Sequence, residues 1–318
     1  MIVHLEGGLA SELMKRLVSW SLFDTSGQKA DRFSVTLDAF ELPEIPKSGD
    51  SYLVKIDGEF RGKFEVTALT EKLSPPEITI NMSPAKFNVK DETAWREVRR
   101  ATYPPSTIKD VVTAVMVKHG YEVRVDPEFA SIVTPHMNQT EETDRAFISR
   151  LAKKYRAIAK PVNGLYVFGA KGSLKTLSGG AKKKAIITPE MIKKGTAKIE
   201  FPSNNRYKGA KATFAEPETG NSGEIVVGES PYLVLKQTFK NSQEATERAS
   251  AELIDQTRKG QTFTGTANTA KGLFAESVML LEGFTSPRSR GDWSVDEISI
   301  TGSRTEVIST QITATRPK

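Results

Sequence analysis

The sequence predicts a mainly β protein of the α+β class, in which two antiparallel β-barrels flank a small αβαββ domain. Short runs of alternating apolar and polar residues, separated by Gly- and Pro-rich turns, fill both ends of the chain, as in antiparallel strands. Between them the apolar period becomes that of a helix. The predicted domains are 1–92 for the first barrel, 93–170 for the α/β insert, 171–200 for a basic Gly/Lys-rich loop or linker, and 201–318 for the second barrel with one helix.

The first barrel is predicted from four runs of apolar and polar residues. In RFSVTLDAFEL, Phe33, Val35 and Leu37 alternate with polar neighbours, and SYLVKI, GKFEVTAL and ITINMSP continue the pattern. Turn signals such as PEIPKSGD and IDGEFRG separate them at intervals of about eight to twelve residues, typical of a small barrel or sandwich. Upstream, a short helix at 11–17 and an extra strand ahead of Asp24 both fit.

The insert is predicted to hold two helices and three strands. The run STIKDVVTAVMVKHG has a helical apolar face, with Ser106 as its N-cap and Gly120 at its end. YEVRV reads as a strand, and PVNGLYVF as a hairpin that turns at Asn163-Gly164.

The stretch TPHMNQTEETDRAFISRLAKKY concentrates acidic residues near a histidine, which raises the question of an active site. With Thr140 as N-cap, Glu141, Glu142 and Asp144 lie in a first helical turn, where each carboxylate contributes about 0.3–1 kcal/mol. An apolar face follows: Phe147, Ile148, Leu151, Ala152 and Tyr155. His136 precedes this helix, and the HExxH spacing of a zinc helix is missing. The pattern therefore predicts a capped helix and not an active site.

The composition argues against most catalytic classes. The chain has no cysteine, which excludes disulfides, thiolate metal sites and cysteine nucleophiles. His4, His119 and His136 fall in three different predicted settings, so a shared metal site is disfavoured, and GAKGSLKT lacks the Gly-Lys-Ser/Thr end of a phosphate loop. We expect no catalytic residue, metal or cofactor. A carboxylate pair for glycoside cleavage stays open, because its members can be far apart in sequence.

No membrane span or secretion signal is expected from the sequence. Every apolar run is shorter than the roughly 18–20 residues that a spanning helix needs, and the N-terminus lacks the layout of a signal peptide. We therefore expect a protein made in the cytoplasm that does not insert stably into a membrane.

Positive charge is concentrated in one segment. The net charge of the chain is +6, and residues 171–200 alone hold eight lysines against two glutamates. Such a segment is a candidate contact for a polyanion or an acidic partner. The residues nominated for this contact are Lys171, Lys175, Lys182, Lys183 and Lys184. No aromatic residue alternates with them to stack on bases, so a solvated loop is the competing interpretation.

The central block of the sequence resembles the phage late-control protein D family. The matching features are the pair His119-Gly120, a turn of the form Pro-His-x-x-Gln-Thr-x-Glu-Thr-Asp at 135–144, and the helix at 147–155. The turn PKSGD at 46–50 and the segment NNRYKGAKATFAEPETG at 204–220 resemble the openings of the two barrels in that family.

The resemblance implies a structural baseplate hub of a contractile phage tail or tailocin-like particle, similar to the hub half of VgrG spike proteins. It implies a homotrimer that acts as a symmetry adaptor between a sixfold tail tube and a threefold spike, and no enzymatic activity. The implied partners are the spike, the tail tube, the tape measure and baseplate wedge proteins. A lysine-rich segment that faces the lumen is compatible with DNA passage, and one that faces an acidic tube or spike is equally compatible. On the insert, Glu141, Glu142 and Asp144 are a candidate partner contact.

Two other functions stay open at this point. A peptidoglycan hydrolase associated with the tail is one, and a nucleic-acid-binding protein that uses the lysine-rich segment is the other.

Overall fold

The computed structural model describes residues 2–42, 44–84, 97–178, 180–201, 207–305 and 308–317. Strands account for 49% of the chain and helices for 19%, so the predicted mainly β, α+β class is confirmed. The described helices are α1 (Ala10–Lys15), α2 (Ile108–Met116), α3 (Pro127–Ala130), α4 (Asp144–Tyr155) and α5 (Ser242–Lys259), with 3-10 turns at Val117–His119, Pro189–Met191 and Pro287–Ser289.

The strands follow the predicted order along the chain. The first region holds β1 (Val3–Glu6), β2 (Leu17–Thr25), β3 (Arg32–Asp38), β4 (Ser51–Ile56), β5 (Glu59–Leu73) and β6 (Pro76–Ser83). The insert holds β7 (Val98–Tyr103), β8 (Ser106–Thr107), β9 (Glu122–Val125), β10 (Val133–Thr134), β11 (Met137–Thr143), β12 (Ala157–Val162) and β13 (Leu165–Ala170). The rest are β14 (Lys184–Ile187), β15 (Lys198–Glu200), β16 (Gly209–Ala215), β17 (Ser222–Gly228), β18 (Tyr232–Phe239), β19 (Thr262–Ala267), β20 (Val278–Leu281), β21 (Asp292–Ser303) and β22 (Ser309–Thr315). Both features left open near the N-terminus occur, as α1 and β2.

Strands from both ends of the chain form one large sheet. Its order is β1-β4-β5-β6-β3-β2-β21-β22-β19-β15, with β20 on β21 and β14 on β20. The two regions meet where β2 pairs antiparallel with β21, from Ser19 opposite Ser303 to Thr25 opposite Glu297. In the part of the chain that the structure describes, no sheet closes into a barrel. The two-barrel arrangement therefore stays a prediction.

One face of this sheet carries the main hydrophobic core. Alternate residues of a strand share a face, and the fully buried set includes Phe33 and Val35 of β3 together with Ile298 and Ile300 of β21. These side chains belong to a single cluster that also contains Trp20 and Trp293. The first and last regions of the chain are thus held together by shared burial as well as by strand pairing.

The insert has a core of its own, between α2, α4 and the sheet β12-β13-β9. The predicted hairpin is confirmed: β12 pairs with β13 around Asn163 and Gly164, whose φ angles are 51° and 79°, as a tight hairpin turn requires. Helix α2 ends at Met116 and is followed by a 3-10 turn that stops at a left-handed Gly120, the predicted stop, but the N-cap of α2 is Thr107 in place of Ser106, which pairs with β10.

The predicted start of the second helix of the insert is wrong. Thr140, Glu141 and Glu142 lie in β11, which pairs with β7, and α4 begins only at Asp144 with Thr143 as its N-cap. The residues whose sequence resembles a first helical turn are part of a strand instead, because β11 pairs with β7. The predicted apolar face is confirmed for Phe147, Ile148, Leu151 and Ala152, all of which are buried.

The segment predicted as a basic loop contributes two strands to the large sheet. Strand β14 pairs parallel with β20, and β15 pairs antiparallel with β19. Further on, β17, β16 and β18 form a separate three-stranded sheet covered on one side by α5. The one helix predicted for this region is present as α5: the Asn241 side chain caps it, it ends at Gly260, and a face of alanines with Leu253 packs on the small sheet.

Candidate functional site

The face of the large sheet opposite the core is covered with hydroxyl groups. One row of directly opposed residues runs Thr79, Thr36, Ser19, Ser303, and the next runs Asn81, Ser34, Ser21, Thr301, Ser309. Neither row contains a charged side chain. The rows cross the junction between β2 and β21, so this hydroxyl face is continuous from the first region of the chain to the last.

Neighbouring strands are linked by side-chain hydrogen bonds on the hydroxyl face. Ser34 Oγ donates to Asn81 Oδ1 at 2.8 Å, and the hydroxyls of Thr36 and Thr79 lie 3.1 Å apart. A depression of about 310 Å³ opens between the serines and threonines of β2, β3 and β21. A surface of this kind holds water, while it offers no fixed cation to which a polyanion binds.

A buried lysine joins the insert to the large sheet. Lys160 of β12 is 6% exposed, and its Nζ lies 3.0 Å from Asp24 Oδ1 and 2.7 Å from Asp31 Oδ1. Burial would raise the pKa of Asp24, but Lys160 and the N–H of Ala275 outweigh it, so that pKa is lowered. Burial and the nearby Asp24 carboxylate raise the pKa of Asp31 to about 7. The desolvation of Lys160 is outweighed by its two carboxylates, which raise its pKa.

The loop at 269–276 ties the C-terminal region to the first one. Arg61, whose side chain is 1% exposed, donates to the carbonyl oxygens of Leu273 at 2.5 Å and Ala270 at 2.6 Å. Glu59 accepts the N–H of Gly272, and Asp57 accepts the hydroxyl of Thr269. The N–H of Ala275 also donates to Asp24. Polar backbone and side-chain groups of the loop are thus hydrogen-bonded to charged side chains of β2, of the β4–β5 turn and of β5.

The nominated lysines divide into two groups. Lys171 Nζ lies 3.8 Å from Asp296 Oδ1, Lys184 Nζ lies 2.7 Å from Asp292 Oδ1, and Lys182 donates to the carbonyl oxygen of Glu276 at 2.6 Å. Burial lowers the pKa of Lys182. Lys175 and Lys183 are exposed, and neither has an ion pair within the described ranges. Three of the five lysines therefore have partners inside the chain.

The nominated acidic residues of the insert do not form one surface. Glu141 pairs with Arg100 and Glu142 with Arg150, both at the surface. Asp144 is fully buried, so the prediction that it is a partner contact is wrong.

Asp144 is instead the centre of a polar cluster. Its Oδ2 lies 2.8 Å from His119 Nε2, and its Oδ1 accepts from Gln139 Nε2 at 2.8 Å. Gln139 in turn accepts from the hydroxyl of Tyr103. Burial would raise the pKa of Asp144, but these hydrogen bonds and Arg99 lower it. Gln139 and Asp144, both in the 135–144 turn, are therefore structural residues that position α4.

Among the residues described, no group of three or more His, Asp or Glu side chains is arranged to hold a metal ion. A helix long and apolar enough to cross a membrane is likewise missing from those residues.

No family model matches the chain. Two curated relatives carry the name "Probable baseplate hub protein". That of Escherichia phage P2 is 27% identical over 190 residues, which are 57% of this chain and 47% of the relative. That of Escherichia phage 186 is 22% identical over 343 aligned residues, 92% of this chain and 86% of the relative. The match thus spans about half the length of the first relative.

Solved structures give the same picture at the level of the fold. The 43 kDa tail protein of prophage MuSo2 from Shewanella oneidensis superimposes with a TM-score of 0.69 at 14% identity, covering 100% of this chain and 98% of that one. The E. coli c3393 protein, a type VI secretion component with structural similarity to T4 tail proteins gp27 and gp5, gives 0.57 at 11% identity, covering 95% and 74%. A chain of the Francisella PdpA–VgrG complex gives 0.54 at 9% identity, covering 95% and 49%. The resemblance to tail hub and VgrG-like proteins is confirmed.

Two features escaped the sequence analysis. Alternation within single strands is visible in the sequence, but the continuity of the hydroxyl rows depends on which strands are neighbours. Lys160, in the apolar run AIAKPV, carried no sign of its carboxylate partners, which lie 136 and 129 residues away.

Proposed function

We propose that the chain is the structural hub of a contractile tail baseplate, in a phage or a tailocin-like particle. Three copies form a ring that joins the sixfold tail tube to the threefold spike, and the chain acts as a symmetry adaptor without enzymatic activity. The similarity to baseplate hub proteins along 92% of the chain carries this proposal. The spike and tail tube proteins are its proposed partners, with the tape measure and wedge proteins as further contacts.

In the proposed ring the hydroxyl face lines the central channel. Two rows of Ser, Thr and Asn without charge, described above, suit the wall of a conduit, because a polymer in transit meets bound water and no strong fixed charge. The exposed Lys175 and Lys183 are proposed contacts with an acidic neighbour in the tail, and Glu141 and Glu142 with a wedge protein. The α/β insert lies outside the channel in this arrangement.

The native mass of the purified chain tests the proposal. We expect the chain alone to have three times its single-chain mass of 35.0 kDa, or to enter a complex with the spike and tail tube proteins of the same particle that contains three copies of it. A single-chain mass in every mixture would contradict it. Clearing of purified cell wall by the chain would instead support a hydrolase, and retention on DNA that disappears when Lys182, Lys183 and Lys184 become alanine would support a nucleic-acid-binding protein.

A further inference from the structure

One end of the large sheet is left open along the second half of β5. Strand β4 pairs with β5 only over Glu59–Glu65, whereas β6 pairs with it as far as Leu73. In the described part of the chain, residues 68–73 thus have a strand neighbour on one side only. All six are exposed, including Leu69 at 39% and Leu73 at 83%. A free strand edge with exposed leucines is a surface that natural proteins usually cover.

The exposed leucines continue the core face of the sheet. Leu69 is opposite Ile80 and Glu71 is opposite Ile78, and directly opposed residues point to the same face. Both isoleucines are buried in the main core. Leu69, Glu71 and Leu73 therefore form an apolar–acidic–apolar row on the core face, at the edge where its side chains are no longer buried.

The other end of the sheet presents a groove. Within the described residues, strand β15 has β19 as its single strand neighbour, and beside it lies a cavity of about 330 Å³ lined by Ile199, Phe201 and Phe284, with the buried Phe263 beneath. Ile199 is opposite Phe263, so it too points to the core face. The exposed Arg288 lies over the ring of Phe201 at 5.3 Å, and no acidic partner for it occurs in the described residues.

We propose that these two ends bind each other between copies of this chain. Residues 68–73 of β5 in one copy pair with the free edge of β15 in the next, Leu69 and Leu73 enter the groove, and Glu71 forms an ion pair with Arg288. Within the described residues three properties are complementary: free backbone against free backbone, leucines against an apolar groove, and an acid and an arginine that each have no ion pair there. This inference rests on the proposed ring and names the surfaces that close it.

The two surfaces differ, so the contact is heterologous and repeats head to tail until the ring closes. Thr70 is opposite Thr79 at one end of the sheet, and Thr264 is opposite Thr313 at the other. Joining the two ends would therefore continue the sheet from one copy to the next, with Lys198 and Glu200 of β15 on the side of the hydroxyl face, while the core face continues on the outside.

Chemical cross-linking tests which surfaces meet. The chain has no cysteine, so only introduced thiols react with a short bismaleimide. We expect the double variant Leu73→Cys/Thr285→Cys to give two- and three-chain products and none larger. Each single variant should give none, because a heterologous contact joins two different surfaces and places Leu73 of one copy against the Thr285 side of the next. The control Leu73→Cys/Val234→Cys, with Val234 60% exposed on the outer side of the small sheet, should also give none.

The outcomes separate this inference from the proposed function. Products from either single variant, products larger than three chains, or none from Leu73→Cys/Thr285→Cys in a protein whose native mass is three chains would overturn the assignment of these ends and leave the hub proposal standing. A single-chain mass under every condition would overturn both.

A charge exchange provides a second test without a cross-linker. Glu71→Arg and Arg288→Glu should each raise the concentration at which the three-chain assembly dissociates by roughly tenfold or more, because like charges then face each other. The two changes together should return it close to that of the unmodified chain. Glu218→Arg, in an exposed turn of the small sheet, is the matched control and should change nothing. Equal effects of all three single variants would overturn the proposed ion pair.

Discussion

Gly302 lies at a tightly packed point of the core face. It is opposite Trp20 in the pairing of β2 with β21, and a Cβ atom at Gly302 would lie 2.6 Å from Cζ2 of that indole. Trp20 is buried, with Leu22 and Ile300 in the same cluster. The ring has little room to move, since displacing it would disturb neighbours that are themselves buried.

We therefore expect Gly302→Val to lower the free energy of unfolding by about 1–3 kcal/mol, the usual cost of overpacking. Urea denaturation followed by tryptophan fluorescence measures this directly. Thr301→Val is the matched control, because Thr301 is exposed on the hydroxyl face of the same strand. Equal losses in the two variants would show that the indole contact is not responsible.

The carboxylates around Lys160 predict a pH dependence of stability. The pKa of Asp31 is raised to about 7 from a usual 3.8, so the folded chain binds this proton more tightly than the unfolded chain does. Stability contributed by protonated Asp31 is fully present below pH about 4 and is lost as the pH rises through about 7. The lowered pKa of Asp24 changes stability only at pH values below the usual pKa of an aspartate. The raised pKa of Lys160 changes it only at pH values above the usual pKa of a lysine. Neither overlaps the window of Asp31.

Asp31→Asn should therefore flatten the dependence of the free energy of unfolding on pH between about 4 and 7. Denaturation at a series of pH values measures the slope, with Glu218→Gln as an exposed control. A slope unchanged by Asp31→Asn would contradict the assignment. No local pattern could have predicted this site, because Lys160 acquires its partners only through the docking of β12 on the large sheet.

Helix α4 illustrates how tertiary structure decides between two local signals. Thr140 followed by Glu141, Glu142 and Asp144 has the composition of a capped first turn. In the structure Thr140, Glu142 and Thr143 pair with β7, and the helix begins only at Asp144. Only one of the two threonines accepts a bond from the helix backbone: the hydroxyl of Thr143 accepts the N–H of Ala146 at 3.1 Å.

Thr143→Ala should lower the free energy of unfolding by about 1 kcal/mol, the typical value for loss of an N-cap. Thr140→Ala, at an exposed strand position, should change it by less than about 0.5 kcal/mol. Chemical denaturation of the two variants distinguishes them. A larger loss for Thr140→Ala would favour the start of the helix predicted from the sequence.

Elements with a local signature were predictable, and elements defined by distant pairing were not. The Asn163-Gly164 turn depends on adjacent residues, and its prediction is confirmed. The helix predicted in the last region is present as α5, whose cap and apolar face also depend on residues a few positions apart. The placement of β14 and β15 in the large sheet depends on partners in β20 and β19. A lysine-rich composition hid those strands, since flexible linkers share it.

At the scale of the whole molecule, the sequence predicted two regions of strands but not that they share one sheet. In each region apolar and polar residues alternate along the strands, so the sequence shows the Ser and Thr residues of the hydroxyl face strand by strand. Its continuity arises from the pairing of Ser19 with Ser303 and Ser21 with Thr301. The native mass and the cross-linking of the two sheet ends then test how this sheet is used in an assembly.

The pairing of β2 with β21 also constrains how the chain folds during synthesis. Strand β2 leaves the ribosome early, and its neighbour β21 is among the last segments to follow. Until then β2 has an unpaired edge, with the apolar side chains of Trp20 and Leu22 beside it. At high expression the β21 strand of another nascent chain is an equivalent partner, so exchange of strands between chains is the characteristic misassembly of this topology.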